Sequence, residues 1–267
     1  MLDFQCKSRY DWEDFLQVMA LLRAPGGCPW DAEQTHASIR RNFLEETYEA
    51  LDALDRDDAV DMCEELGDVL MQVAFHAQIE TERGRFTMAD VVDGVTQKLV
   101  YRHPHVFGTV QADTSDQVLA NWEVLKRKEK GQRSTADAIE AVPHTLPALW
   151  RAEKVQKKTA KAGFDWNDRL GALRKLEEEV RELREAVEAG QDPEVPHGVR
   201  EEVGDTLFIA AKVAQICSVD PEDALHRACD KFDSRFRYVE TTADKPLADC
   251  SQEELLALWQ ESKQHES

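Results

Sequence analysis

The sequence predicts an all-α protein made of two tandem, homologous helical-bundle domains. Three observations lead to this prediction. Leu, Ala, Glu, Lys and Arg fill long stretches in which apolar residues recur at helical spacing. The 12 Gly and 9 Pro are clustered, so they separate helices instead of interrupting them. The same order of motifs occurs twice along the 267 residues, as is typical of an internal repeat.

The charge and composition narrow the possible functions. Asp and Glu number 53 against 33 Lys and Arg, and the net charge of -20 disfavours binding to nucleic acid or to anionic membrane surfaces. No apolar run approaches the roughly 20 residues of a membrane span. The N-terminal residues lack the basic and apolar regions of a signal peptide, and the 6 cysteines are scattered. We therefore expect a cytoplasmic protein that contacts neither nucleic acid nor membranes.

Five helices are predicted in the first half from the spacing of the apolar residues. They span residues 11–23, 38–54, 59–82, 88–100 and 115–130. Short segments rich in Gly, Pro or Asp separate these helices. The segment 103–108, which contains Pro104, is predicted to be a loop. The helix over 59–82 is apolar on most of its faces, which indicates that it is buried in a core.

Two acidic pairs lie on consecutive helices of the first half. Glu46 and Glu49 are three residues apart and share a helix face, and Glu65 and Asp68 do the same on the next helix. Buried carboxylates must be paired or bound to metal, because an uncompensated buried charge is strongly destabilising. Two facing pairs form an oxygen cage of the kind that suits Mg²⁺, with Mn²⁺ as the alternative.

The second half repeats this arrangement in the same order. Its acidic residues that correspond to the first four are Glu179, Glu182, Glu202 and Asp205. The first half also carries a Lys/Arg pair and a Trp/Lys pair on later helices, namely Lys98 with Arg102 and Trp122 with Lys126. Their counterparts in the second half are Lys231 with Arg235 and Trp259 with Lys263. We therefore predict domains over residues 1–132 and 148–267, joined by a linker over 133–147.

Each half thus combines carboxylates, a pair of cations, and an aromatic side chain beside a lysine. A nucleoside triphosphate is bound by such a set, because a metal ion and Lys or Arg neutralise phosphate oxygens and a Trp ring can stack on a base. The sequence has no glycine-rich phosphate loop of the GxxxxGK[ST] kind. The chemistry that this set best supports is attack of a metal-activated water on phosphorus.

Several motifs resemble one known family. They are the EExxE and ExxD patterns of both halves, Gly-Cys-Pro-Trp-Asp at 27–31, Arg-His-Pro-His-Val-Phe-Gly at 102–108 and Gly-Phe-Asp-Trp at 163–166. In their order they resemble the MazG family of nucleoside triphosphate pyrophosphohydrolases, over nearly the whole chain. The resemblance implies an all-α NTP pyrophosphatase fold, usually a homodimer. It also implies Mg²⁺-dependent hydrolysis of NTPs or dNTPs to the monophosphate and pyrophosphate, by water attack at the α-phosphorus.

The resemblance also implies roles for particular residues, chiefly in the second half, to which the family's activity is credited. The implied Mg²⁺ ligands are Glu179, Glu182, Glu202 and Asp205. The implied phosphate-binding residues are Lys175, Lys231, Arg235 and Lys263, while Trp259 would contact the nucleoside. Glu178 is our candidate for orienting or deprotonating the water, so the predicted catalytic group consists of Glu178, Glu179, Lys231 and Arg235.

The first half differs at one position that bears on its activity. Asn42 stands where the second half has Lys175, so one phosphate-binding cation is missing. The other residues of a second site are all present, namely Glu46, Glu49, Glu65, Asp68, Lys98, Arg102, Trp122 and Lys126. The sequence leaves three alternatives open for this site: slow activity, a regulatory role, or no function.

Two other functional classes compete with this interpretation. One is a non-catalytic nucleotide sensor or scaffold that kept the fold and lost turnover. The other is a di-metal carboxylate oxidoreductase, which builds its site in a helical bundle from Glu residues and two Glu-x-x-His motifs. Only Glu33-Gln-Thr-His36 fits that motif, and it lies in the first half alone.

Overall fold

The computed structural model of the protein describes residues 4–190 and 195–264, and in these ranges its regular secondary structure is entirely helical. The all-α prediction is therefore confirmed. The chain divides into two compact units, Met1–Lys126 and Arg127–Ser267, here called unit 1 and unit 2. None of the described helices has the length and apolar character that crossing a membrane requires.

Unit 1 contains a core built from three helical segments. Its helices are α1 Trp12–Arg23, α2 Pro29–Glu33, α3 Arg40–Asp55, α4 Ala59–Glu82, α5 Met88–Arg102, α6 Pro104–Phe107 and α7 Ser115–Glu129, the last of which extends past the division. Helices α3 and α4 are joined by a short turn and pack along each other. Met19 of α1, Ile39 before α3, and Ala74, Phe75 and Ile79 of α4 form the buried cluster. The core therefore lies at the end of α4 that follows the acidic residues.

Burial of α4 is limited to its second half, so the prediction that the whole helix is buried is wrong. Residues 74–80 supply the core, but Leu66 in the first half is 54% exposed. The reason is that α3 and α1 cover only part of the helix surface. The corresponding helix of unit 2 shows the same feature, because its Leu207 is 51% exposed. Each unit thus presents apolar side chains beside its acidic residues.

Three segments that were not expected to be helical contain short helices, the first of which is α2. The prediction of a loop over 103–108 is wrong, because Pro104–Phe107 forms α6. Proline is well suited to the first position of a helix, where its missing N–H leaves no bond unmade. Helix α8, Thr135–Glu140, lies in the segment predicted as the linker and packs against the next helix of unit 2. Ser134 and Asp137 form a capping box at its start.

Unit 2 repeats the paired acidic helices. After α8 its helices are α9 Ala148–Lys161, α10 Arg169–Glu188, α11 Val199–Ile216, α12 Pro221–Thr242 and α13 Gln252–Ser262, with a 3-10 turn at Leu247–Asp249. Helices α10 and α11 pack along each other as α3 and α4 do, α9 packs on α11, and α12 packs on α13. Lys212 of α11 is fully buried, and its Nζ lies 2.5 Å from Asp165 Oδ1 and 2.7 Å from Gln215 Oε1. This ion pair ties the segment before α10 to α11.

A buried carboxylate at the end of α4 holds together separate parts of unit 1. Glu80 contacts His36, at 2.5 Å from its Nε2, as well as Arg83 and Arg85 from the turn that follows α4. The hydrogen bond from Arg85, and then that of His36, lowers the pKa of Glu80 to about 2. His36 also lies 2.7 Å from His76, Nδ1 to Nδ1. These contacts join the segment before α3 to the α4–α5 turn.

Glu80→Gln is expected to destabilise the protein in a pH-dependent way. Because folding lowers the pKa of Glu80 from its ordinary value of 4.5 to about 2, the carboxylate stabilises the fold fully above pH 4.5. This contribution decreases as the pH falls toward 2, so the difference in unfolding free energy between the parent and the variant should shrink over that range. Urea denaturation at stepped pH, followed by circular dichroism, measures it. Glu45→Gln is the control, since its ion pair with Arg41 is exposed. A difference that does not vary with pH contradicts the assignment.

Candidate functional site

Three carboxylates of unit 2 converge where α10 packs along α11. One oxygen each of Glu179, Glu202 and Asp205 lies within 4.8 Å of the others. Glu202 and Asp205 are three residues apart on α11 and so share a face, while Glu179 reaches them from α10. Glu179 and Glu202 are each 5% exposed, and Asp205 is more accessible. The structure therefore brings together three of the four predicted ligands as a compact group.

Electrostatic repulsion marks this group. Burial raises the pKa of Glu202, and the negative charges of Glu182 and Asp205 raise it further. The fourth predicted ligand, Glu182, thus lies close enough to act on Glu202, although it is outside the compact group. Burial also raises the pKa of Asp205, followed by the charge of Glu179. Carboxylates whose pKa values are raised in this way gain stability when a cation binds among them.

Lys175 supplies one cation to the group from within α10. Its Nζ lies 2.7 Å from Glu179 Oε1 and 3.0 Å from Glu178 Oε1, at the i+4 and i+3 positions of the helix. Hydrogen bonds to Glu179 and then Glu178 raise the pKa of Lys175, so its ammonium is charged at neutral pH. Glu178, our candidate for orienting the water, is therefore hydrogen-bonded to a cation.

Unit 1 has a corresponding group of carboxylates but no corresponding lysine. Oxygens of Glu46, Glu49 and Glu65 lie within 4.8 Å of one another. Burial raises the pKa of Glu46, and the charge of Asp68 and a hydrogen bond with Glu49 add to it. Burial also raises the pKa of Glu65, with the charge of Glu49 next in size. Glu65 Oε2 is buried and has no hydrogen-bond partner among the residues that the structure describes.

Apart from Lys175 on α10, the predicted phosphate-binding and nucleoside-binding residues of unit 2 lie on α12 and at α13. Lys231 and Arg235 are on α12, Trp259 is on α13, and Lys263 directly follows α13. The Trp259 ring is half-buried, with its centroid 5.1 Å from that of Phe232, and the Arg235 guanidinium carbon lies 5.8 Å from the same ring. Lys231 and Lys263 are exposed. Trp259 therefore helps to hold α12 against α13, and its contact with a nucleoside stays a prediction.

In unit 1 two cations pack against the equivalent tryptophan. The Arg102 guanidinium lies 5.1 Å and the Lys126 ammonium 4.4 Å from the Trp122 ring centroid, both within cation–π range. Arg102 is buried, whereas Lys98 one turn earlier on α5 is exposed. Sequence spacing predicted that these residues lie near each other, but not that the ring itself is the surface on which the cations pack.

His197 is a residue near the unit 2 carboxylates that sequence reasoning missed. It lies just before α11, and its Nδ1 is 3.8 Å from Glu202 Oε1. Its backbone N–H donates to Glu201 Oε2 at 2.6 Å, and its φ of 56° lies in the left-handed region. No motif includes this residue, so the only signal was its position before the acidic helix. Val60 occupies the equivalent position in unit 1.

The donor atoms of both groups fit a hard divalent cation. Each group offers only carboxylate oxygens, which Mg²⁺ and Mn²⁺ prefer, and no imidazole or thiol. Glu65 Oε2 is buried and has no hydrogen-bond partner among the described residues, and a bound cation would supply the interaction that this oxygen lacks. In the described residues His36 of the Glu-x-x-His motif belongs to neither group and contacts His76 and Glu80 instead. This arrangement does not match the ligand set of a ferritin-like di-metal oxidoreductase.

The fold and these groups define an all-α protein with paired acidic helices and one carboxylate cluster in each of two repeated units. A family model described as the MazG nucleotide pyrophosphohydrolase domain matches residues 34–107 and 169–239. These two ranges contain α3 to α6 and α10 to most of α12, so each copy includes one carboxylate cluster. The chain belongs to the MazG family.

Curated relatives match along almost the whole chain. A Thermotoga maritima protein named nucleoside triphosphate pyrophosphohydrolase/pyrophosphatase MazG is 40% identical over 255 residues, covering 94% of this chain and 95% of the relative. An Escherichia coli K12 protein named nucleoside triphosphate pyrophosphohydrolase is 42% identical, covering 94% and 96%. YabN of Bacillus subtilis, an uncharacterized protein, is 45% identical over 262 residues, which is 96% of this chain but 52% of YabN. The resemblance noted from the motifs is confirmed.

Proposed function

We propose that this protein hydrolyses nucleoside triphosphates, ribo or deoxy, to the nucleoside monophosphate and pyrophosphate. The observation that carries the proposal is the cluster of Glu179, Glu202 and Asp205 with Lys175 beside it, in a chain whose family and relatives are named for this reaction. An acidic cluster alone would repel a triphosphate. A divalent cation between the two removes this repulsion.

The cation that we propose is Mg²⁺, with Mn²⁺ as a substitute, held by Glu179, Glu182, Glu202 and Asp205. When bound, it would neutralise phosphate oxygens and lower the pKa of the attacking water. The oxygen-only donor set supports this choice. The raised pKa values of Glu202 and Asp205 support it as well, because a bound cation relieves the repulsion that causes part of the shift.

The remaining residues of the site act on the substrate. Lys175, Lys231, Arg235 and Lys263 donate hydrogen bonds to phosphate oxygens, and Trp259 contacts the nucleoside. Water, oriented by Glu178, which accepts its proton, attacks the α-phosphorus, and the bond from this phosphorus to the oxygen shared with the β-phosphorus breaks. The cations stabilise the negative charge that develops on the departing pyrophosphate. Unit 2 carries the activity in this proposal, because unit 1 has Asn42 in place of Lys175.

The proposed enzyme acts as a homodimer in the cytoplasm, where nucleoside triphosphates occur. The apolar side chains exposed on the acidic helices support the dimer, among them Leu66 and Leu70 of α4 and Val203, Leu207 and Phe208 of α11. Leu66 and Leu70 are four residues apart, as are Val203 and Leu207, so each pair shares a helix face. An exposed apolar helix face is typical of protein interfaces. A second copy of the chain that covers these faces would also shield the carboxylates from solvent.

Product identity tests the proposed reaction. We expect a panel of canonical and modified NTPs with Mg²⁺ to yield the monophosphate and pyrophosphate, and EDTA to stop the reaction. In ¹⁸O-labelled water the label should enter the monophosphate, because the attack is at the α-phosphorus. Label in pyrophosphate, or inorganic phosphate as the first product, would refute that mechanism. Nucleotide binding without any product would favour the sensor or scaffold.

A further inference from the structure

The two carboxylate clusters differ in whether they contain their own cation. In unit 2 the Lys175 ammonium is 2.7 Å from Glu179, a ligand in the proposed function and 5% exposed. In unit 1 the equivalent position is Asn42, and Glu46, which corresponds to Glu179, has oxygens of Glu49 and Glu65 within 4.8 Å. The difference is local, because Lys175 and Glu179 are separated by one turn of the same helix.

The contact at Glu179 places two cations in competition. An ammonium group and a divalent metal both need the negative charge of this carboxylate, and they repel each other at short range. Glu179 is nearly inaccessible to solvent, so it cannot turn outward to leave the ammonium. Lys175 itself is partly exposed and has a long flexible side chain, so it is the cation that can move. Lys175 donates to Oε1 of Glu179, so a metal that takes this oxygen must displace the ammonium.

We propose that Lys175 is a built-in counter-cation of the unit 2 cluster, which a divalent metal displaces from Glu179 and which then binds a phosphate group of the substrate. This inference rests on the proposed function, since it concerns the same metal and the same substrate. It adds an order to the binding, with the metal first and the triphosphate second. The two ligands therefore help each other to bind. If bound metal increases the affinity for triphosphate by some factor, a triphosphate that holds Lys175 away from Glu179 increases the affinity for metal by the same factor.

Mn²⁺ binding to the full-length protein without nucleotide tests the inference. Glu65→Gln removes a ligand of the unit 1 cluster, so that electron paramagnetic resonance of free Mn²⁺ reports on unit 2. In this background Lys175→Met is expected to bind Mn²⁺ about tenfold more tightly, because the loss of a charge-assisted hydrogen bond typically changes an equilibrium constant by at least this factor. Unchanged or weaker Mn²⁺ binding would overturn the inference.

Two matched variants separate this effect from a general change in charge. Arg181→Met removes a positive charge from the exposed face of the same helix, where Arg181 pairs with Glu185, and should leave Mn²⁺ affinity nearly unchanged. Asn42→Lys, made with Glu202→Gln so that unit 1 is measured, should weaken Mn²⁺ binding about tenfold. An equal effect of Arg181→Met and Lys175→Met would reduce the role of Lys175 to general charge and overturn the inference.

The experiment also distinguishes the inference from the proposed function. If the parent protein and all variants fail to bind Mn²⁺, the metal-dependent function fails and the inference fails with it. If the parent binds Mn²⁺ through Glu202 and Lys175→Met does not tighten this binding, only the inference fails. Isothermal titration calorimetry with a non-hydrolysable triphosphate gives a further readout. In the parent protein Mn²⁺ should increase the affinity for this nucleotide, because it releases Lys175 to bind a phosphate group. Lys175→Met should remove the part of that increase that Lys175 provides.

Discussion

Glu202→Gln is expected to lower the turnover of nucleoside triphosphates by roughly a thousandfold, the scale on which loss of a charge-stabilising group acts in an active site. Glutamine keeps the size of the side chain and removes the negative charge from the buried end of the cluster, where Glu202 lies near Glu179 and Asp205. Glu179→Gln should have an effect of the same size. Pyrophosphate release with saturating Mg²⁺ and substrate measures turnover.

Unit 1 provides the matched controls for this prediction. Glu65→Gln and Glu46→Gln make the same changes at the equivalent positions and should reduce turnover far less. The double variant Glu179→Gln with Glu202→Gln should be hardly worse than either single variant, because residues that hold one metal act as a unit. If the unit 1 variants lose more activity than the unit 2 variants, the active site lies in unit 1.

The same substitution should not unfold the protein. The pKa of Glu202 is raised by burial and by the charges of Glu182 and Asp205, so its ionised form is less stable in the folded protein than in the unfolded chain. Glutamine removes this repulsion, and we expect the melting temperature without added metal to be equal or higher. A marked fall in melting temperature would mean that the loss of turnover comes from misfolding.

Asp165→Ala is expected to destabilise the protein by roughly 3 kcal/mol, the cost typical of leaving one member of a buried ion pair without its partner. Lys212 is 1% exposed, and its ammonium lies 2.5 Å from Asp165. Among the residues that the structure describes, Gln215 and the more distant face of Trp166 are the partners that then remain for the buried charge. Urea denaturation of the full chain, followed by circular dichroism, measures the effect.

Lys212→Met should destabilise the protein less than Asp165→Ala does, by about 1 kcal/mol. Methionine fills a similar volume with an apolar side chain, and Asp165, which is 31% exposed, can be hydrated when its partner is gone. Glu185→Ala, in the exposed pair with Arg181, controls for loss of a surface carboxylate and should change stability very little. Equal effects of Asp165→Ala and Lys212→Met would show that packing of the lysine stem, and not the unpaired charge, sets the cost.

The long helices and the acidic pairs could be predicted because they depend on local regularities. The predicted helix over 59–82 matches α4, and the one over 115–130 matches α7 to within one residue. Apolar spacing of about 3.6 residues and the i, i+3 relation of Glu202 and Asp205 need no knowledge of distant neighbours. The three short helices α2, α6 and α8 were not predicted, since four to six residues carry too little periodicity to distinguish a helix from a loop.

Contacts between distant segments could not be predicted in the same way. Lys212 belongs to none of the motifs, and only the fold brings it against Asp165. Glu80 lies far along the chain from His36, and neither belongs to a repeated motif. The exposure of Leu66 depends on which faces of α4 its neighbours cover, which the helical pattern itself does not contain.

The sequence by itself determined the helical class, the repeat, and the helix face on which each carboxylate lies, because these follow from residue spacing along one helix. Only the tertiary structure decided which carboxylates meet. It brings Glu179 to Glu202 and Asp205 and leaves Glu182 outside the compact group, whereas in unit 1 Glu49 is inside. The physical reason is that the packing of two helices against each other sets the distance between their side chains, and the residue spacing within either helix does not contain that distance.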